Sequence, residues 1–307
     1  MSPESLNHID SHDQSINTTD DITEDGVTVE GVTQERVAGD GVPVQPVIHF
    51  DIFTLFPQMF VGPFSESIIK RALTASLLGV ALHNIRDYTT DKHHVCDDTP
   101  YGGGGGMVMK PEPVFEAVEA LLDLPPTHAS EPRRAPCPVL MMTPQGRRFD
   151  DAMARSLAAE SRLVILCGHY EGFDERIREH LATHEVSVGD FVMTGGEIPA
   201  MVVTDAVARL RPGVVGLEGA TQTDSFATGL LEHPHFTRPA DFRGWTVPEL
   251  LTGGNHGAVD RWRRQEALRR TLERRPDLLE TARLDAEQRA WLDTWLAEAS
   301  GADDTMP

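Results

Sequence analysis

Two glycine turns each follow a short apolar run: Leu163-Val-Ile-Leu-Cys-Gly-His-Tyr-Glu-Gly172, and Val186-Ser-Val-Gly-Asp-Phe-Val-Met-Thr-Gly-Gly-Glu-Ile-Pro-Ala-Met201. Buried strands that end in glycine let the backbone approach a flat ligand closely, and polar residues in the turns can then read it. Ligand binding is therefore the first chemistry to expect, ahead of covalent catalysis. Cys167 precedes Gly168-His169, but a thiol nucleophile needs an imidazole facing it, which proximity in sequence does not supply, so a buried strand thiol is the simpler reading. There is no Gly-x-Ser-x-Gly elbow. His93 and His94, with Asp91, Asp97 and Asp98, lack zinc spacing, and adjacent histidines point apart, so no metal ligand is assigned. The glycines from Gly102 to Gly106 fail the dinucleotide spacing, with Met107 where glycine is needed, and no Gly-Lys-Ser/Thr follows. That run is either a loop that closes over a substrate or an inert surface loop. Asp224, in Thr223-Asp-Ser-Phe226, and Arg209 read on spacing alone as ordinary solvated residues.

The elements that must position these residues alternate. Val47–Thr54 reads as a buried strand, Ser65–Leu78 as a helix, Val80–Ile85 as a strand and Pro111–Leu122 as a helix. Val139–Met142 reads as a strand ending at Thr143-Pro-Gln-Gly146, followed by a helix at Asp150–Glu160 and a strand at Arg162–Cys167. Helix Asp174–Leu181, strand Glu185–Val188 and helix Ile198–Leu210 complete the series. Strand and helix in turn give an α/β domain with a mainly parallel sheet and its ligand at the carboxyl ends of the strands. A glycine-bearing linker at 215–226 separates this domain, 47–214, from a small, mostly helical one at 227–307. The latter holds a helix at Val259–Arg275 and a capping-box-like start at Asp285-Ala-Glu-Gln288. Pro125–Pro138 suits a surface insertion.

The 307 residues are enough for two domains, and 40% hydrophobic content supports a sizeable core. No run reaches membrane-span length and no signal peptide is evident, so no membrane partner and a soluble, cytoplasmic chain are expected. Cys96, Cys137 and Cys167 are far apart, which argues for reduced thiols. A net charge of −21 would ordinarily oppose a nucleic-acid partner, but residues 1–46 hold ten acids and one arginine and read as a disordered acidic tail. Arg261–Arg283 carries eight arginines against four acids: a basic patch or a salt-bridged helix face.

In order, Leu55-Phe-Pro-Gln-Met-Phe60, Asp97-Asp-Thr-Pro-Tyr-Gly-Gly-Gly104, Thr143-Pro-Gln-Gly146, Cys167-Gly-His-Tyr-Glu-Gly-Phe-Asp-Glu-Arg176, Ser187–Met201, Asp205-Ala-Val-Ala-Arg209, Asp224-Ser-Phe226, Pro234-His-Phe-Thr-Arg-Pro239 and Val247-Pro-Glu-Leu-Leu-Thr-Gly-Gly-Asn-His256 closely resemble the bacterial tRNA (guanine-N1)-methyltransferase family. The likeness spans Val47 to Leu296. It implies a SPOUT-type α/β domain with a deep trefoil knot tied by the glycine turns. It also implies a homodimer that uses S-adenosyl-L-methionine (AdoMet) to methylate N1 of guanine at tRNA position 37, with preference for guanine on the 5′ side. The family's methyl-donor pocket falls on Pro144, Gly168, Tyr170, Glu171, Gly172, Val188, Gly189, Asp190, Phe191, Val192, Met193, Gly195, Gly196 and Pro199. Asp224 matches the general base and Arg209 the residue that stabilises charge at O6. Glu232, His235, Arg238, Arg261 and Arg264 become candidates for tRNA contact. The family's reaction admits magnesium, for which no ligand is assigned. His169 stands where arginine is expected and Gly105 where proline is common.

Two other readings compete: a tRNA-binding protein that keeps an AdoMet pocket without catalysis, and a nucleotide-dependent oxidoreductase. Asp224 and Arg209 together speak against the first, and the missing fingerprint against the second.

Overall fold

A computed structural model describes residues 48–126, 135–216 and 219–303. The expected tail, Val47, the middle of the Pro125–Pro138 insertion and two linker residues lie outside the described residues.

Strand β1 (Ile48–Thr54) leads through a 3-10 turn (Pro57–Phe60) into helices α1 (Val61–Phe64) and α2 (Ser67–Thr74), then strand β2 (Leu78–Asn84). A two-residue pair, β3 (Asp97–Asp98) and β4 (Val108–Met109), precedes α3 (Pro111–Leu121). Then come β5 (Val139–Arg148), α4 (Asp151–Ala158), β6 (Arg162–Cys167), α5 (Glu175–His180), β7 (His184–Ser187) and α6 (Glu197–Ala208). The main sheet has the order β2-β1-β6-β5-β7, and every neighbouring pair in it is parallel. This is the mainly parallel α/β sheet expected from the alternation.

Period-two alternation sorts the strand side chains between two cores. Phe50 and Ile52 of β1, with Leu163 and Ile165 of β6, face α2, α4 and α6, where Leu73, Leu157 and Val203 meet them. Phe53, Val164 and Leu166 face α3 and α5 through Val114, Val118 and Ile177. Both faces are covered, so the strands read as nearly continuous apolar runs. Asp51 is the charged exception in β1: buried, it bonds His83 Nε2 at 3.0 Å and Arg162 Nε at 2.7 Å. Burial pushes its carboxyl up, but the bonds to His83 and Arg162 outweigh that and hold it below the usual carboxylate range.

Several boundaries differ from the sequence reading, three of them with a clear local cause. The helix expected over Ser65–Leu78 is broken, since Ser67 and Ser76 both take positive φ of 56° and confine α2 to Ser67–Thr74. The turn at Ser76 lets β2 begin at Leu78, before the expected Val80. Beta strand β5 does not end at Met142: Met142 and Arg147 both pair with Val186, so Thr143–Gly146 bulges outward before pairing with β7 resumes.

Beyond α6, a 3-10 turn (Ala220–Gln222) occupies the linker. A hairpin of β8 (Asp241–Phe242) and β9 (Trp245–Thr246) precedes α7 (His256–Arg274) and α8 (Ala286–Asp303). The capping box forms as expected: Gln288 N–H donates to Asp285 Oδ1 at 2.9 Å and Asp285 N–H to Gln288 Oε1 at 3.1 Å. Among the described residues no helix is long and apolar enough to cross a membrane.

Candidate active site

Three turns at the carboxyl end of the sheet enclose a cleft of about 200 Å³. The first follows β6. Gly168 sits against the Phe173 ring, Tyr170 takes a left-handed φ of 61°, and Glu171 N–H donates to Met107 O at 3.0 Å. A Cβ on Gly106 would lie 2.3 Å from Glu171 Oε1, so the end of the glycine loop packs on this turn. The second turn follows β7, with Gly189 at φ 154° beneath Phe191. The turns are joined by backbone: Gly196 N–H donates to Gly168 O at 2.8 Å, and His169 bridges Gly195. The third is the bulge of β5, where a Cβ on Gly146 would come within 2.4 Å of the Glu185–Val186 peptide.

Every expected pocket residue lines this cleft except Asp190, which is exposed outside it. Tyr170, Phe191, Val192, Met193 and Pro199 supply apolar wall, while Gly168, Gly195 and Gly196 leave the backbone open to close approach. Sequence reasoning missed Gln145, Phe173, Glu175 and Arg178, which also line it. Glu175 and Arg178 lie on α5 just past the first turn, and Arg178 Nε donates to Glu175 Oε1 at 2.8 Å. Beneath the cleft is a second missed pair: Thr54 Oγ1 donates to Glu197 Oε1 at 2.8 Å, both residues buried. His169 Nδ1 is 3.9 Å from Glu197 Oε2, and its ring packs on Phe56 with centroids 4.9 Å apart. The histidine thus lies between the cleft and a buried carboxylate. Burial, and then the Glu197 charge, pushes the Cys167 thiol well up, so it stays protonated in the core.

Arg209 and Asp224 come together at the other end of α6. Arg209 Nη1 lies 2.8 Å from Asp224 Oδ2, an ion pair whose angle is not that of a directed hydrogen bond. α6 has 12 residues, so at about 1.5 Å per residue the pair is about 18 Å along the helix from the glycine turns of the same chain. Further along, Glu232 Oε1 pairs with His235 Nε2 at 2.8 Å, and Arg238 is exposed. Arg261 and Arg264 are engaged with α8: Arg261 Nε donates to Glu287 Oε1 at 2.7 Å, Arg264 Nη1 to Glu287 Oε2 at 3.1 Å, and Arg264 also pairs with Asp285. Both guanidinium groups lie over Trp291, at 5.3 and 5.6 Å. In the His93–His94 loop, Asp91 accepts from His93 and Val95 N–H at 2.8 and 2.9 Å, and His94 Nδ1 lies 3.0 Å from Arg86 O. These bonds shape a turn.

Comparison with known proteins matches residues 48–281 to the family model described as tRNA (Guanine-1)-methyltransferase TrmD. A Dehalococcoides mccartyi protein named tRNA (guanine-N(1)-)-methyltransferase is 58% identical over 253 residues, covering 82% of this chain and 99% of its own length. A Bacillus cereus protein of the same name is 54% identical over 243 residues, covering 79% of this chain and 96% of its own. Identity this high over nearly the whole length of such relatives, on a parallel α/β sheet with a glycine-walled cleft, means that the chain belongs to the tRNA (guanine-1)-methyltransferase family.

Proposed function

We propose that the chain methylates N1 of guanine at tRNA position 37 with AdoMet as donor, Asp224 as general base and Arg209 as the stabiliser of charge at O6. The observation that carries this reading is the Arg209–Asp224 pair, at 2.8 Å, in a family member whose glycine turns form a cleft. When bound, AdoMet supplies a methyl group already activated on sulfonium, so no covalent enzyme intermediate is required. A Cβ at Gly168 or Gly196 would meet neighbouring atoms within 3 Å, so these turns keep backbone where a flat ligand needs it, and Tyr170, Phe191, Met193 and Pro199 would cover its apolar faces. Glu171 and Glu175 bring carboxylates to the rim, suited to hydroxyl groups or positive charge.

Guanine N1 carries a proton near neutral pH, so a carboxylate within hydrogen-bond reach must take it before N1 attacks. Arg209 holds Asp224 at Oδ2, and the carboxylate as a whole stays partly exposed, so its other oxygen would take the proton. As the proton leaves, charge spreads to O6, and the Arg209 guanidinium beside Asp224 is in reach to stabilise it.

The 12-residue span of α6 keeps cleft and base apart within one chain, so the working site is shared by two chains of a homodimer. Exposed Phe191, Val192, Ile198 and Val202 around α6 suit burial against a second copy. The knot belongs to the same reading: the turns after β6 and β7 bond to each other at Gly168 and Gly196, as crossed segments would. The AdoMet domain is 47–214, the linker 215–226 carries Asp224 to the acceptor guanine, and 227–307 binds RNA through Glu232, His235, Arg238, Arg261 and Arg264. The reaction admits magnesium, with no ligand assigned, and the cytoplasm is the compartment.

The test incubates purified protein and labelled AdoMet with a tRNA transcript carrying guanines at positions 36 and 37, beside Asp224→Ala protein and a guanine-37-to-adenine transcript. Label is expected only with the intact pair, the Asp224→Ala rate falling about 100-fold or more. Equal labelling in all three would sink the mechanism.

A further inference from the structure

Glu232, His233 and His235 lie away from the cleft, and one donor atom from each falls within 4.8 Å of the other two. A glutamate and histidine three residues apart make a common surface pair. That pairing does not account for a second imidazole, yet the His233 and His235 rings lie with centroids 4.5 Å apart. Donors on a tetrahedral ion bound at about 2.0–2.1 Å lie about 3.3 Å from one another. The Glu232–His235 separation of 2.8 Å and the 4.8 Å limit of the cluster bracket that value, so small side-chain rotations suffice. His233 Nδ1 is 3.1 Å from Pro234 O. A carbonyl only accepts, so Nδ1 would donate in that contact, and in the neutral ring Nε2 is then the nitrogen free for a metal, the arrangement of an imidazole steadied by a carbonyl.

The backbone carrying these groups is fixed before any ion arrives. Leu231 N–H donates to Thr271 Oγ1 at 2.9 Å, and Glu232 N–H to Ser225 Oγ at 3.0 Å. Arg270 Nη1 approaches Glu232 O at 3.4 Å, which directs this cation to the carbonyl. Two imidazoles and one carboxylate suit zinc and its neighbours in the transition series, whereas magnesium prefers an all-oxygen shell. We propose that Glu232, His233 and His235 bind one transition-metal ion of the zinc class, with its remaining coordination open to water or to an RNA oxygen, so that Glu232 and His235 serve tRNA through the ion. Since Ser225 adjoins Asp224 in sequence, such an ion would stiffen the segment next to the Arg209–Asp224 pair.

The test titrates tag-free, metal-stripped full-length protein with Co2+, followed by its visible spectrum, and with Zn2+ by calorimetry. One ion per chain is expected. His233→Gln and Glu232→Gln should each weaken binding about 100-fold or more, since a lost ligand does at least the damage of a lost supporting bond. A His93→Ala/His94→Ala double variant should bind as before. Thermal melts without metal check folding, and if one ligand variant unfolds, the other decides. No stoichiometric binding, or binding that survives in a folded ligand variant or disappears in the double variant, would overturn the proposal.

Discussion

Gly196 lies so close to Cys167 that a Cβ built on it would be 2.7 Å from the Cys167 Cα and 2.9 Å from Gly168 N. These are backbone atoms, so no side chain can rotate away. Gly196→Ala is expected to cost about 1–3 kcal/mol by overpacking, or more if the turns cannot part, and to weaken AdoMet binding. Urea unfolding and calorimetry with AdoMet check both, and an alanine variant equal to wild type in the two would remove the crossing turns as the basis of the cleft.

Thr54 bridges strand β1 to α6. Its Oγ1 donates to Glu197 Oε1 and accepts from Phe56 N–H at 2.9 Å. Thr54→Val keeps the shape but leaves two polar groups without their partner, at a cost of about 2–4 kcal/mol. Thr54→Ser keeps the hydroxyl and should lose only about 1 kcal/mol for the methyl group. Equal urea midpoints for the two variants would show that the bond is not the source.

Asp51 makes stability depend on acid. Its carboxyl is held below the ordinary value in the folded state by His83 and Arg162, so its contribution is complete above the unfolded value, about 3.9, and is lost as pH falls through the lower folded one. Asp51→Asn should therefore lower the urea midpoint at pH 7, and the gap from wild type should close in that acid window. A gap constant from pH 7 to pH 2 would contradict the assignment.

Arg261 and Arg264 already have acidic partners on α8, so their service to RNA can be separated from their service to the fold. If each meets a phosphate, its alanine variant lowers tRNA affinity and takes about 0.7–0.9 off the slope of log affinity against log salt. If they serve only to join α7 to α8, the slope stays and the melting temperature falls. Filter binding across a salt series distinguishes the two.

The sheet was legible because its strands are buried on both faces: runs such as Leu163–Cys167 and Ile48–Thr54 can be little else between helix signals. The bulge after Met142 was not, since the Thr143–Gly146 excursion depends on how β5 meets β7, a long-range pairing that local pattern does not carry. The cleft lining followed the family motifs closely, glycine by glycine. Glu197 was passed over because a glutamate opening a helix ordinarily faces water, and only the partner Thr54, 143 residues away, explains its burial. His233 was passed over because its neighbours Glu232 and His235 drew attention as RNA contacts, while a three-residue convergence is a property of folded backbone.

Helix α6, with Gly196 at its N-cap and Arg209 at its C-cap, is also a ruler. Removing one residue would turn one end by about 100° relative to the other and shorten the span by about 1.5 Å. Substitutions on its exposed positions, such as Val202, leave that measure alone; insertions and deletions do not. Length changes during divergence should therefore collect in the loops and in the hairpin of Asp241–Thr246, while α6 keeps its residue count even where its sequence drifts.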